Sequence, residues 1–349
     1  MSNTPNSFCV IAMLLLIAAF SACRQEKRVA FEFPETIQLR SQTIELDTAV
    51  FRYPFRIRIA GDRAIVMDLH NIDYYFHLFT YPEFKHLSAF GKRGNAPREM
   101  LSAENFRIQG DAVWALDANK RELSEFRFNT SRDSVILTQQ ITLEEKFLRP
   151  LDFAITGELF IIPDYSGKKR LNQADHAGKM VNQIGTIPSK NVNNSKLQNP
   201  ALAQAWRSFI DYNPANHTIA AVTQLGEVLE ILHLNDTTHI TLEGFGGEPE
   251  FRLSDNYAVP TGIMGFSDIQ ITERYIYAVF HGRTFKEMSQ QKEHIDGGKY
   301  VYVFTLTGEP VRKYVLDAFI YGIYVDEAEG IMLATDVNQD QPILKFRLR

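Results

Sequence analysis

Ala64-Ile65-Val66-Met67-Asp68 is an apolar run that stops on a carboxylate, and the chain carries five more such runs, three of them also ending on aspartate. The other copies are VWALD (Val113–Asp117), FIIPD (Phe160–Asp164), IAAVT (Ile219–Thr223), IYAVF (Ile276–Phe280) and MLATD (Met332–Asp336). Their last residues, 68, 117, 164, 223, 280 and 336, are separated by 49, 47, 59, 57 and 56 positions. That interval is too regular for chance and too long for leucine-rich or ankyrin repeats. Each run is nearly all apolar, the signature of a strand buried on both faces.

The same grammar surrounds every run. Another strand leads in, such as Phe55-Arg56-Ile57-Arg58-Ile59 or Phe266–Ile271, and tight turns at Gly61-Asp62, Gly110-Asp111 and Gly157-Glu158 join leading strands to runs. Glycine supplies the positive φ that a two-residue hairpin needs. Alternating strands follow: Tyr75–Thr80 and Lys85–Phe90 in the first unit, Tyr300–Thr305 and Val311–Leu316 in the fifth. Four antiparallel strands in roughly 50 residues make a β-propeller blade. The spacing therefore predicts an all-β, six-bladed β-propeller. A sandwich of hairpins is the alternative, but sandwiches rarely keep one period along a whole chain.

The last unit has a third strand, Pro342–Leu348, and no fourth. Ahead of the first unit lie Thr36–Arg40 and Thr43–Leu46, with no hairpin partner of their own. The N-terminal strand is thus expected to complete blade six, giving one ring-shaped domain over residues 36–349. Gly185–Pro200 is polar and Asn-rich and reads as an exposed loop between blades three and four, leading into a short helix near Ala201–Trp206.

The first residues carry an address. Phe8–Phe20 is an uncharged apolar run of 13 residues followed by Ser21-Ala22-Cys23. As a helix it is about 20 Å long, short of a hydrocarbon core of about 30 Å, yet suited to a secretory signal. Small residues directly before a cysteine resemble the bacterial lipobox, which implies a signal peptide over 1–22, lipidation of Cys23 and a tether over 23–35. Plain cleavage and secretion is the other reading, since Phe20 replaces the usual Leu and no Lys or Arg precedes the run. Cys9 falls within the segment to be removed, so no second thiol remains for a disulfide, zinc or nucleophilic catalysis. The net charge of −5 offers no electrostatic basis for binding nucleic acid.

Phe90–Met100 (FGKRGNAPREM) connects the outermost strand of blade one to the innermost strand of blade two, and Phe245–Phe251 (FGGEPEF) occupies the matching place between blades four and five. No Gly-Lys-Ser/Thr follows, so neither is a Walker loop. Recurrence at equivalent crossovers points to backbone geometry, with Gly turning the chain and Pro fixing φ. The first copy resembles the Gly-x-x-Gly-x-Gly-Pro-x-Glu-Phe crossover of TolB-like six-bladed propeller lipoproteins, abundant in Bacteroidota and similar in shape to NHL-repeat propellers. It matches at Gly91, Gly94, Pro97 and Glu99 and departs at Ala96 and Met100. The resemblance runs from about Arg28 onward and includes the lipobox. It implies fold and surface address, and names no ligand or reaction.

Equivalent strand ends of a propeller share one face, so Asp68, Asp117, Asp164 and Asp336 are expected around the channel mouth. Four carboxylates there would suit Ca²⁺; alternatively, each accepts hydrogen bonds from its own turn. Lys92, Arg93, Lys120 and Arg283 add cations to the same rim, and His70 and His281 occupy comparable turns. These ten residues are the candidate ligand-binding set. No His-Glu-x-x-His or Gly-x-Ser-x-Gly pattern occurs, and no catalytic or metal residue is assigned. The expected role is a non-catalytic binding or scaffold protein of the cell envelope, anchored to the membrane at Cys23, with an envelope protein, peptide or glycan as partner. Arg24 after the cysteine favours the outer membrane. The alternative is a metal-dependent hydrolase or lyase at the channel.

Overall fold

The computed structural model describes residues 31–47, 51–190, 199–236, 238–254, 257–291 and 295–348. The signal segment and Cys23 lie outside the described residues, as does 191–198 of the Asn-rich loop. Six sheets, each with four antiparallel strands in meander order at its heart, form six blades around one axis. The innermost strands are Pro54–Ala60, Ala103–Gln109, Ala154–Thr156, Ser208–Asn213, Phe266–Ile271 and Ile323–Asp326, and they pack around the axis until blade six meets blade one. The six quoted runs are the second strands. Those of blades two and four bury all six residues, because flanking blades cover both faces. Gly61, Gly110 and Gly157 take φ of +62°, +58° and +60° in the turns between first and second strands.

The N-terminal segment closes the ring, but differently from the single strand expected. β1 (Thr36–Leu39) runs parallel to Pro310–Ile320 as a fifth strand of blade five, and β2 (Ser41–Ile44) pairs antiparallel with Ile343–Arg347 to complete blade six. The break falls at Arg40, where the Ser41 amide donates to the Asp317 carboxylate at 3.0 Å. One short segment thereby ties two neighbouring blades together. Residues 31–35, read from sequence as the end of the tether, belong to the fold. Phe31 is buried with its ring 4.9 Å from Phe304, and Phe33 lies 4.6 Å from Tyr302.

In every blade the first strand starts, the second ends and the fourth ends on one face, the crossover face. Three additions stand on it. A helix, α1 (Asn199–Ala205), precedes blade four and is packed through Leu202, Ala205 and Trp206 onto Val228 and Ala258. A hairpin, Phe251–Ser254 with Tyr257–Pro260, sits in the crossover from blade four to blade five. A second helix, α2 (Phe285–Gln290), follows the second strand of blade five and starts on a Thr284–Glu287 capping box.

Candidate functional site

The axis is filled with charge. Arg56 of blade one meets Asp268 of blade five at 3.2 Å, and Arg58 reaches the same carboxylate at 3.4 Å. Arg107 of blade two pairs with Asp152 of blade three at 2.9 Å and donates to the Ile210 carbonyl of blade four at 2.6 Å. Contacts that skip a blade pass through the centre, so these side chains plug the channel. Acids on one blade also hold the backbone of the next: Asp152 accepts from Ile210 N, Asp211 from Ile271 N and Asp268 from Ile323 N, at 2.8, 2.8 and 2.9 Å. Burial would raise the Asp268 carboxyl, but Arg56 and Arg58 outweigh it and hold the group below the usual range. Asp211, with weaker compensation, is pushed up by burial. None of these residues was in the candidate set. For Arg56, Arg58 and Asp268 the signal was charged or polar residues at alternate positions of innermost strands, as in FRIRI and SDIQI.

The four repeated aspartates turn onto backbone amides. Asp68 accepts from Arg52 N, Tyr53 N and His70 N at 2.8, 2.8 and 3.1 Å. Asp117 accepts from Leu101 N, Asn119 N and Lys120 N at 2.5, 3.0 and 3.0 Å. Asp164 accepts from Ser166 N and Lys169 N, both at 2.9 Å, and Asp336 from Asn338 N at 2.9 Å. Asp68 and Asp117 thus fasten the incoming crossover to their own turns. Among the described residues no three His, Cys, Asp or Glu side chains group so as to hold a metal.

The basic candidates of blades one and two serve the first crossover. Lys92 pairs with Glu99 at 2.7 Å, Arg93 donates to the Leu69 and Asn71 carbonyls, and Lys120 reaches the carbonyls of Ala96 and Glu99. A Cβ on Gly94 would lie 2.0 Å from the Glu99 carboxylate, which explains the glycine. In the second copy Gly246 N donates to buried Glu227 at 2.7 Å. Both copies close on a carboxylate.

His70, His281 and Arg283 gather on the side of blades one, five and six. The His281 ring stands edge-on to Tyr321, Tyr321 lies 5.6 Å from Tyr53, and Tyr53 is 5.0 Å from His70. The Tyr53 hydroxyl donates to Asp296, while Arg283 donates to the Ile295 and Gly297 carbonyls. His281 is only 4% exposed, and among the described residues neither ring nitrogen has a partner. Burial pushes its pKa down to about 4, against the pull of Asp296 and with the help of Arg283. An unfolded histidine titrates near 6.5, so between about pH 6.5 and 4 the unfolded chain binds more protons. This contribution is complete above the upper value and lost as pH falls through the window, about 3 kcal/mol in all. Urea unfolding from pH 7 to 4 is expected to show it, and His281→Leu to flatten that part of the slope. Equal slopes for the two proteins would refute the assignment.

A concavity on the crossover face lies over blades three to five. It encloses about 400 Å³, with Leu151, Leu225, Met264 and Phe285 in its walls and Arg149 and Arg207 as its cations. Tyr165 also lines it; burial raises its phenol to about 12, so it keeps its proton at neutral pH. Arg207 bridges to Glu104 of blade two at 3.4 Å, linking the cavity to the channel mouth. Arg149 has no ion pair or hydrogen bond among the described residues. A second concavity shares Leu148 and Pro200 with the first and adds Lys146 and Lys168. The candidate set did not anticipate this site. The signal was present in the repeat intervals, which widen from 49 and 47 to 59, 57 and 56 where the helices and hairpin are inserted.

Comparisons with known proteins agree with this geometry. No curated protein sequence matches the chain. Among solved structures, a Bacteroides fragilis protein named as a candidate exported protein superposes with a TM-score of 0.54 at 11% identity, covering 90% of this chain and 99% of that one. A Bacteroides vulgatus member of a family of unassigned function gives 0.54 at 9%, covering 92% and 96%. The WD40 repeats of RRP9 give 0.53 at 8%, covering 88% and 97%. These identities speak for the fold alone. The model of the TolB-like 6-blade propeller-like family matches residues 32–328, and the chain belongs to that family.

Proposed function

We propose that the protein is a lipid-anchored component of the cell envelope that acts by binding, with the crossover face as its recognition surface. One observation carries this reading: the carboxylates of that face are occupied by backbone amides, while its inserted helices and hairpin enclose an apolar cavity with cations. A metal-dependent hydrolase or lyase would need those carboxylates free. The signal-like run ahead of Cys23 supports the address.

The anchor also sets an orientation. β1 runs parallel to the outermost strand of blade five, so the chain joins the fold at the face opposite the crossovers. Cys23 precedes Phe31 by eight residues, and a fully extended segment of that length spans at most about 29 Å. The first-to-second-strand turns then face the lipid, and the cavity faces away. Fractionation of cells tests the anchor: the natural chain is expected in the membrane pellet and Cys23→Ala in the soluble fraction. A Cys23→Ala protein that stays with membranes would overturn it.

A further inference from the structure

We propose that the cavity over blades three to five binds a small amphipathic anion: one carboxylate on an alkyl or aryl body. The inference rests on the reading of the crossover face as a binding surface and adds the class of ligand. A volume of about 400 Å³ lies within the range of roughly 300–1,000 Å³ in which proteins hold small molecules. Its walls are mostly apolar, and none of the residues lining it is acidic. The protein as a whole carries −5, so a concave site with cations and no acid is a local reversal of charge.

The two arginines are not equivalent. Arg207 is partly neutralised by Glu104 and sits with its guanidinium 6.0 Å from the centre of the Phe209 ring, which fixes its direction. Arg149 is exposed on the crossover into blade three and makes no hydrogen bond or ion pair among the described residues, its charge acting on Glu104 only from a distance. A carboxylate between them would complete Arg149 and share Arg207, the planar fork suiting both oxygens. The protonated Tyr165 phenol is a further donor in the wall. Leu148 and Tyr257, 49% and 67% exposed at the rim, are apolar surface that an alkyl or aryl body would cover. A doubly charged, fully polar anion would leave Leu225, Met264 and Phe285 facing water-loving groups, so the geometry selects a single charge on an apolar frame.

The test uses 1-anilinonaphthalene-8-sulfonate, whose fluorescence rises in apolar sites, on the purified mature chain. One saturable site per chain is expected, emptied by decanoate and not by decanol. Arg149→Glu should weaken dye and decanoate by about tenfold, as loss of a charge-assisted contact does. The same charge change at exposed Arg347 of blade six should leave both unaltered. Equal weakening by the two substitutions, displacement by decanol as effective as by decanoate, or absence of a saturable site would each overturn the proposal. Because the protein is assayed away from membranes, failure here is distinct from failure of the Cys23 anchor.

Discussion

Asp268→Ala is expected to remove about 3–5 kcal/mol of stability, the range for breaking one side of a buried ion pair. The carboxylate faces two guanidinium groups, and Arg56 is completely buried. Without Asp268, Arg56 keeps its hydrogen bond to the Ser267 carbonyl and loses its counter-charge in a site that water does not reach. The Ile323 amide of blade six loses its acceptor as well. Urea unfolding at pH 7 measures the loss. Replacing both partners, Arg56→Met with Asp268→Leu, is expected to cost less than the sum of the single changes, since the fully buried Arg56 charge is no longer left uncompensated and only Arg58 loses a partner. Additive losses would mean that the pair does not act as a unit in the channel.

Asp117→Ala is the second large effect, a loss of about 4 kcal/mol from three amide donors at roughly 1–3 kcal/mol each. Asp117 is fully buried and joins Leu101 N in the crossover to Asn119 N and Lys120 N in the turn. Asp117→Asn should lose less, because one oxygen still accepts while the new NH₂ group opposes a donor. If the carboxylate were a metal ligand, the loss on substitution would depend on added metal. With a backbone role, it is the same in EDTA and in Ca²⁺.

The repeat of AIVMD-like runs was enough to predict six blades, because a strand enclosed by two neighbours must be apolar on both faces and cannot hide that pattern. Closure by the N-terminus was legible from the missing fourth strand of the last unit. Its division into β1 and β2 was not, since Thr36–Ile44 carries no Gly, Pro, Asn or Asp, and the break at Ser41 is held by a hydrogen bond to Asp317, far along the chain. The position of the four aspartates followed from repetition, but their partners did not: a strand-end Asp looks alike in sequence whether it serves amides or a cation. The plugged channel was legible in principle at Arg56, Arg58 and Asp268, whose alternation with apolar residues marks an inward face. The cavity was hidden for another reason. Its walls come from blades three, four and five, and Arg149 and Met264 become neighbours only once the ring is closed.

The central claim is that the carboxylates of the crossover face hold its loops while recognition passes through the basic cavity beside them. Thermal unfolding of the mature protein in EDTA, in Ca²⁺ and in decanoate tests both halves at once. A ligand present at 100 times its Kd stabilises the fold by about 2.7 kcal/mol. The account predicts an unfolding temperature unchanged by Ca²⁺ and raised by decanoate. A temperature raised by Ca²⁺ and unmoved by decanoate would contradict it.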